Sequence, residues 1–119
     1  MNSNAEYYYN KGIIEGYFDV RLENILDQDI EIRQKYLLGY KEGKIKRSNL
    51  KEKHLNKYQD SRTGYIKQIG YLVGYSNYPA SSKTLKGEDK KLFDLGLQAG
   101  IEQKEKQNNT DNQKVKKLK

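Results

Sequence analysis

Lys41, Lys44, Lys46, Arg47, Lys51, Lys53 and Lys57 crowd into the stretch KEGKIKRSNLKEKHLNK, with Tyr40 and Tyr58 at its two ends. Several cations that neutralise phosphates, set beside rings on which bases stack, are what RNA binding draws on. The same residues also suit a solvated helix and linker that keeps a chain with a thin core soluble. A second cluster, ASSKTLKGEDKK, brings Lys83, Lys86, Lys90 and Lys91 together with Ser81, Ser82 and Thr84. That is either a phosphate-contacting loop or a plain flexible one, and it lacks the G-x-x-x-x-G-K of a P-loop.

Other groups carry less. In DQDIE, Asp27, Asp29 and Glu31 alternate as at the start of a calcium loop. The glycine and the later bidentate glutamate of such a loop are missing, so an acidic strip facing a basic surface is the better reading. His54, the only histidine, has no nucleophile or carboxylate arrangement pointing to it. With no metal-binding histidine pair, nucleophile elbow or dinucleotide fingerprint, the expectation is a non-enzyme without a cofactor or metal.

The elements that must position these groups are constrained by composition. The chain has 119 residues, only 34% of them hydrophobic, so its core must be thin. Eleven tyrosines and no tryptophan give an aromatic surface that can stand half in water. Cysteine is absent, which removes disulfides, zinc–thiolate sites and thiol nucleophiles, and fits the interior of a cell. The start, MNSNAEYYYN, has no basic and apolar leader pattern, and no run approaches the roughly 20 apolar residues that cross a bilayer. A soluble, cytoplasmic protein is expected. The net charge of +7 is uneven: residues 5–34 carry three basic and seven acidic side chains, whereas residues 41–57 carry seven basic and two acidic ones. Lys114, Lys116, Lys117 and Lys119 form a further basic run at the end.

Eight of the ten glycines lie on one lattice. Gly12 and Gly16 are followed by Gly39 and Gly43; Gly70 and Gly74 are followed by Gly96 and Gly100. Each pair is G-x-x-x-G, and the second set repeats the first with an offset of 58 and then 57. Glycine inside a helix costs about 1 kcal/mol relative to alanine, so paired glycines at helical spacing need a reason. Residues four apart share a helix face, and two glycines there open a strip on which a second backbone can lie close. The expectation is that the helices of each unit cross at their glycine strips, flanked by Ile13, Ile14, Leu37 and Leu38 or their counterparts. The glycines are then structural; the other reading is that they let a ligand touch the backbone.

The resulting fold class is all-α, two repeated helix–loop–helix units packed as a small pseudo-twofold helical domain. Unit 1 covers 5–46, a basic connector 47–61, unit 2 62–106, and a disordered basic tail 107–119. Helices are expected over about 5–20, from near Asp29 to at least Lys46, over 62–76 with Ser61 as cap, and over 88–106 with Glu88 and Asp89 at the positive end.

The second unit, GYLVGYSNYPASSKTLKGEDKKLFDLGLQAG, resembles the ribosome modulation factor family at Gly70, Tyr71, Gly74, Tyr78, Pro79, Phe93, Gly96 and Gly100. The first unit resembles it more loosely through Gly12, Gly16, Tyr36, Gly39 and Gly43. The resemblance spans about 75 to 80 residues in two copies and implies a glycine-rich helical hairpin that contacts the small ribosomal subunit and its RNA. On that reading the binding residues are Lys41, Lys44, Lys46, Arg47, Lys51 and Lys53 with Tyr40, Tyr71, Tyr75, Tyr78, Lys83 and Lys86. A rival reading is a phage- or plasmid-encoded inhibitor of a host defence nuclease, of the anti-CRISPR kind, that binds an RNA-guided nuclease as a protein partner. A third is a homodimer whose tyrosine faces form the subunit interface.

Overall fold

A computed structural model describes residues 3–23, 25 and 28–118, with side chains from 4 to 108 among them. Asp27 and the side chains of Lys114, Lys116, Lys117 and Lys119 lie outside what it describes. Among the described residues four helices follow one another, α1 (Ser3–Phe18), α2 (Ile30–Ser48), α3 (Leu55–Ser76) and α4 (Glu88–Leu118), with a 3-10 turn, Glu52–His54, leading into α3. They pack in two pairs, α1 on α2 and α3 on α4, so the molecule is all-α and made of two helical hairpins. Among the described residues no helix is long and apolar enough to cross a membrane.

The chain divides into two compact units. Unit 1 holds residues 1–62 and 81–85, and unit 2 holds 63–80 and 86–119. The division departs from the sequence-based boundaries in one informative way. Ser81–Leu85 belongs to unit 1, because Ser81 N–H donates to the Leu22 carbonyl at 2.9 Å, the Thr84 hydroxyl donates to the Arg21 carbonyl, and Leu85 is buried. Unit 1 also takes the first part of α3: Tyr58 packs against Tyr17 and Phe18, and Arg62 Nε donates to the Phe18 carbonyl at 2.6 Å.

The glycine lattice is where each hairpin closes. In unit 1 a Cβ placed on Gly12, Gly16, Gly39 or Gly43 would fall inside 3.0 Å of a backbone oxygen of the facing helix, at Tyr36, Tyr40, Tyr9 and Ile13 respectively. In unit 2 the same holds for Gly70, Gly74, Gly96 and Gly100 against Phe93, Leu97, Lys67 and Tyr71. Every G-x-x-x-G glycine therefore sits where only a hydrogen fits, and backbone lies directly on backbone.

Both α1 and α3 end in the same way. Asp19 and Asn77, 58 apart, each adopt a φ of 56° just past the helix, and Val20 N–H reaches back to the Glu15 carbonyl while Asp19 N–H reaches Gly16. This is the left-handed terminator that Asx residues tolerate better than other non-glycine residues.

Three expectations need correction. Ile14, Leu37 and Leu38 do not flank the crossing under cover; all three are exposed, and the buried neighbours of the strip glycines are Lys11, Glu15 and Tyr40 instead. The buried set on α2 is instead Ile32, Tyr36, Gly39, Tyr40 and Gly43, at helical spacing. Helix α3 begins at Leu55, not near 62, so Ser61 is an interior residue; nothing between Leu55 and Thr63 breaks a helix. Helix α4 runs on to Leu118 and does not end near 106 ahead of a disordered tail; its polar continuation, QNNTDNQKVKKL, contains neither Gly nor Pro.

Candidate functional site

The grip between α1 and the segment that follows it is polar. Glu15, fully buried on α1, accepts three hydrogen bonds at one carboxylate oxygen: from Leu22 N–H at 2.7 Å, Glu23 N–H at 3.1 Å and the Tyr36 hydroxyl at 2.7 Å. Lys11, one turn earlier and also buried, lies 3.9 Å from Glu15 and 3.8 Å from Glu23. Two carboxylates thus share one ammonium in a site closed to water. Burial raises the Glu15 pKa above its ordinary value, against the opposing pull of Tyr36, the two N–H donors and Lys11. Burial, then the Glu15 charge, pushes Tyr36 far above the usual phenol range, so its hydroxyl stays a donor. Unit 2 has no counterpart to this cluster. The positions equivalent to Lys11, Glu15 and Tyr36 are Ile69, Val73 and Phe93, all apolar.

Glu15 holds the chain immediately after Arg21, and Arg21 stands at a cationic surface. Its guanidinium carbon lies 4.8 Å from the centre of the Tyr40 ring, with Lys44 Nζ at 5.6 Å from the same ring. Along α2, Arg33, Leu37, Lys41, Lys44 and Ser48 follow at spacings of four, four, three and four, which puts them on one face. Arg21, Leu37, Lys41, Lys44, Ile45 and Arg47 line a shallow groove there. Asp19 offsets part of the charge, pairing with Lys44 at 3.8 Å and with Arg47 at 3.0 Å. Among the described residues no carboxylate pairs with Arg21 or Lys41. Leu37 and Ile45, 44% and 52% exposed, stand between the cations.

Of the residues singled out from the sequence, Lys41, Lys44 and Arg47 share this groove, whereas Lys46, on the other side of α2, and Lys51 and Lys53, in the turn beyond it, do not line it. Tyr40 is buried beneath Arg21 and Lys44 and so offers no face for stacking a base. Tyr71 and Tyr75 belong to unit 2 and stack on each other at 5.7 Å and 10°. The Tyr75 hydroxyl donates to Gln107. Tyr78 is half-buried and Lys86 exposed in unit 2, while Lys83 goes with unit 1. His54 is exposed, and Asp29 and Glu31 are exposed at the start of α2, where negative charge complements the helix end.

Sequence reasoning missed Arg21, Arg33 and the Lys11–Glu15–Glu23 cluster. A signal for the cluster existed: Lys11 and Glu15, four apart, each immediately precede a glycine of the α1 strip and so lie beside the buried face. No protein-family model, curated protein or solved structure matches this chain.

Proposed function

We propose that this is a non-catalytic binding protein that docks on RNA, as part of a ribonucleoprotein such as the ribosomal small subunit, through the cationic face of unit 1. The observation that carries the reading is the clustering of Arg21, Lys41, Lys44 and Arg47 on one groove with Asp19 as the only carboxylate paired to them among the described residues. A surface of that kind gains affinity by releasing counterions from phosphates. The glycine-rich hairpin resemblance to ribosome modulation factors supports the same direction. In this reading the tyrosines shape the hairpins, and cations supply the contact.

The test is binding of the purified chain to ribosomal subunits and to single-stranded RNA across a salt series, for the natural sequence and for the double variant Lys41→Glu, Lys44→Glu. Affinity should fall steeply with salt. Loss of two phosphate contacts should reduce the log–log salt slope by about 1.4 on single strands. An unchanged affinity and slope in the double variant sinks the proposal.

A second reading rests on Leu37 and Ile45, exposed between the cations. Apolar side chains on a charged groove suit a protein partner, as an inhibitor of an RNA-guided nuclease would require. Its mark is a stoichiometric complex that survives RNase and salt and is lost on Ile45→Glu.

A further inference from the structure

A second and deeper cavity, about 620 Å³, lies beside the first half of α2, wholly within unit 1. Its volume falls in the range of roughly 300–1,000 Å³ typical of small-molecule sites. Ile25, Ile30 and Leu37 give it apolar walls, and Arg21, Arg33 and Lys83 bring three cations to it. Lys83 is there because Ser81–Leu85 is tied back to Arg21 and Leu22.

Among the described residues no carboxylate pairs with Arg33, Arg21 or Lys83, and Arg33 Nε is buried without an acceptor. The one carboxylate on the wall, Glu23, lies 3.8 Å from Lys11 with its side chain only 2% exposed. A bare inorganic anion would leave the apolar walls unused, and a neutral hydrophobe would strip water from three cations without replacing it. The complementary ligand carries a flat apolar body and a phosphate.

We propose that unit 1 binds a nucleoside monophosphate in this cavity, with the base against Ile25, Ile30 and Leu37 and the phosphate held by Arg33 with Arg21 and Lys83. A guanidinium presents paired donors that match phosphate oxygens, which makes Arg33 the principal anchor. The site does not require the RNA docking proposed above. Its ligand is either a free nucleotide or the phosphorylated end of an RNA chain, which share this chemistry.

The test is isothermal titration calorimetry of the full chain with AMP, GMP, CMP and UMP, beside the matching nucleosides and inorganic phosphate. At least one nucleotide should bind one to one, and its nucleoside and phosphate alone at least tenfold more weakly. Arg33→Gln should weaken nucleotide binding at least tenfold with an unaltered circular dichroism spectrum, and so should Leu37→Glu, a change at a half-exposed position that leaves the fold intact. Lys53→Gln, outside the cavity, should leave it unchanged. A 5′-phosphorylated tetranucleotide that binds at least tenfold tighter than the mononucleotide assigns the site to RNA ends; equal or weaker binding assigns it to free nucleotides. Absence of saturable binding for all four nucleotides, equal binding by inorganic phosphate, or full affinity in Arg33→Gln overturns the proposal.

Discussion

Two glycines on one helix allow the packing argument to be tested with its own internal control. Gly70 and Gly64 both lie in α3 and both belong to unit 2. A Cβ on Gly64 meets nothing within 4 Å, whereas one on Gly70 falls inside 3.0 Å of the Phe93 carbonyl oxygen and 3.1 Å from Leu97 N. Alanine at either position gains the same helix propensity, about 1 kcal/mol. Gly64→Ala should therefore stabilise unit 2 by about 0.5–1 kcal/mol. Gly70→Ala has to force two backbones apart. Overpacking that side chains can absorb costs about 1–3 kcal/mol, and here the obstacle is main chain, so the upper end applies. After the propensity gain, a net loss of about 2 kcal/mol remains, and the two variants should differ by roughly 3 kcal/mol. Urea denaturation followed by far-ultraviolet circular dichroism reads that difference directly. If Gly70→Ala proves as stable as Gly64→Ala, the glycine strip does not set the interhelix distance and the account of the fold fails.

The buried polar cluster gives two more expectations. Glu15→Ala removes the acceptor of two backbone N–H groups and of the Tyr36 hydroxyl, and leaves them unsatisfied away from water. It should cost about 3–5 kcal/mol, whereas Glu15→Gln, which keeps a carbonyl acceptor, should cost about 1–2 kcal/mol; equal losses in urea denaturation would show that the hydrogen bonds do not matter. The pH dependence follows from the raised Glu15 pKa. Between the ordinary value of 4.5 and its higher folded value, the folded state binds the proton more tightly than the unfolded state. The Glu15 contribution is thus fully present below the ordinary value and declines as pH rises through the folded one. Measured against Glu15→Gln, which has no such proton, the natural chain should lose relative stability with rising pH, and a pH-independent difference between the two would refute the assignment.

The hairpins were legible because their signal is written in backbone requirements. A glycine every fourth residue, repeated at a fixed spacing, has few uses other than close helix contact, and all eight positions sit at such a contact. The start of α3 was not legible, since Asn56, Asp60 and Ser61 are all N-cap types, no breaker lies among them, and local sequence does not choose between them. The place of Ser81–Leu85 in unit 1 rests on long-range bonds to Arg21 and Leu22, about which local sequence says nothing. The candidate site was half legible. Lys41, Lys44 and Arg47 stand out as a charge run, but only the helical period separates them from Lys46, and Tyr40 looked available until burial covered it. Only their place before Gly12 and Gly16 marks Lys11 and Glu15, and nothing local marks Glu23, because burial of an ion pair is decided by tertiary packing.

The two units, built on one glycine lattice, diverge where unit 1 acquires its surface. Unit 2 fills the positions of Lys11, Glu15 and Tyr36 with Ile69, Val73 and Phe93, and its helices meet at their glycines all the same. Closing a hairpin of this kind therefore does not need the polar cluster, and replacing buried charge with packed apolar residues is often neutral or stabilising. What the cluster adds is local. Glu15 holds the N–H groups of Leu22 and Glu23, and that fixes the segment carrying Arg21, the one cation that lines both the groove and the cavity. Thr84, bonded to the Arg21 carbonyl, extends the same hold to the segment that carries Lys83. In unit 1 the buried charges thus support the placement of the exposed ones, and this is why the binding readings above are assigned to unit 1 and not shared between the repeats.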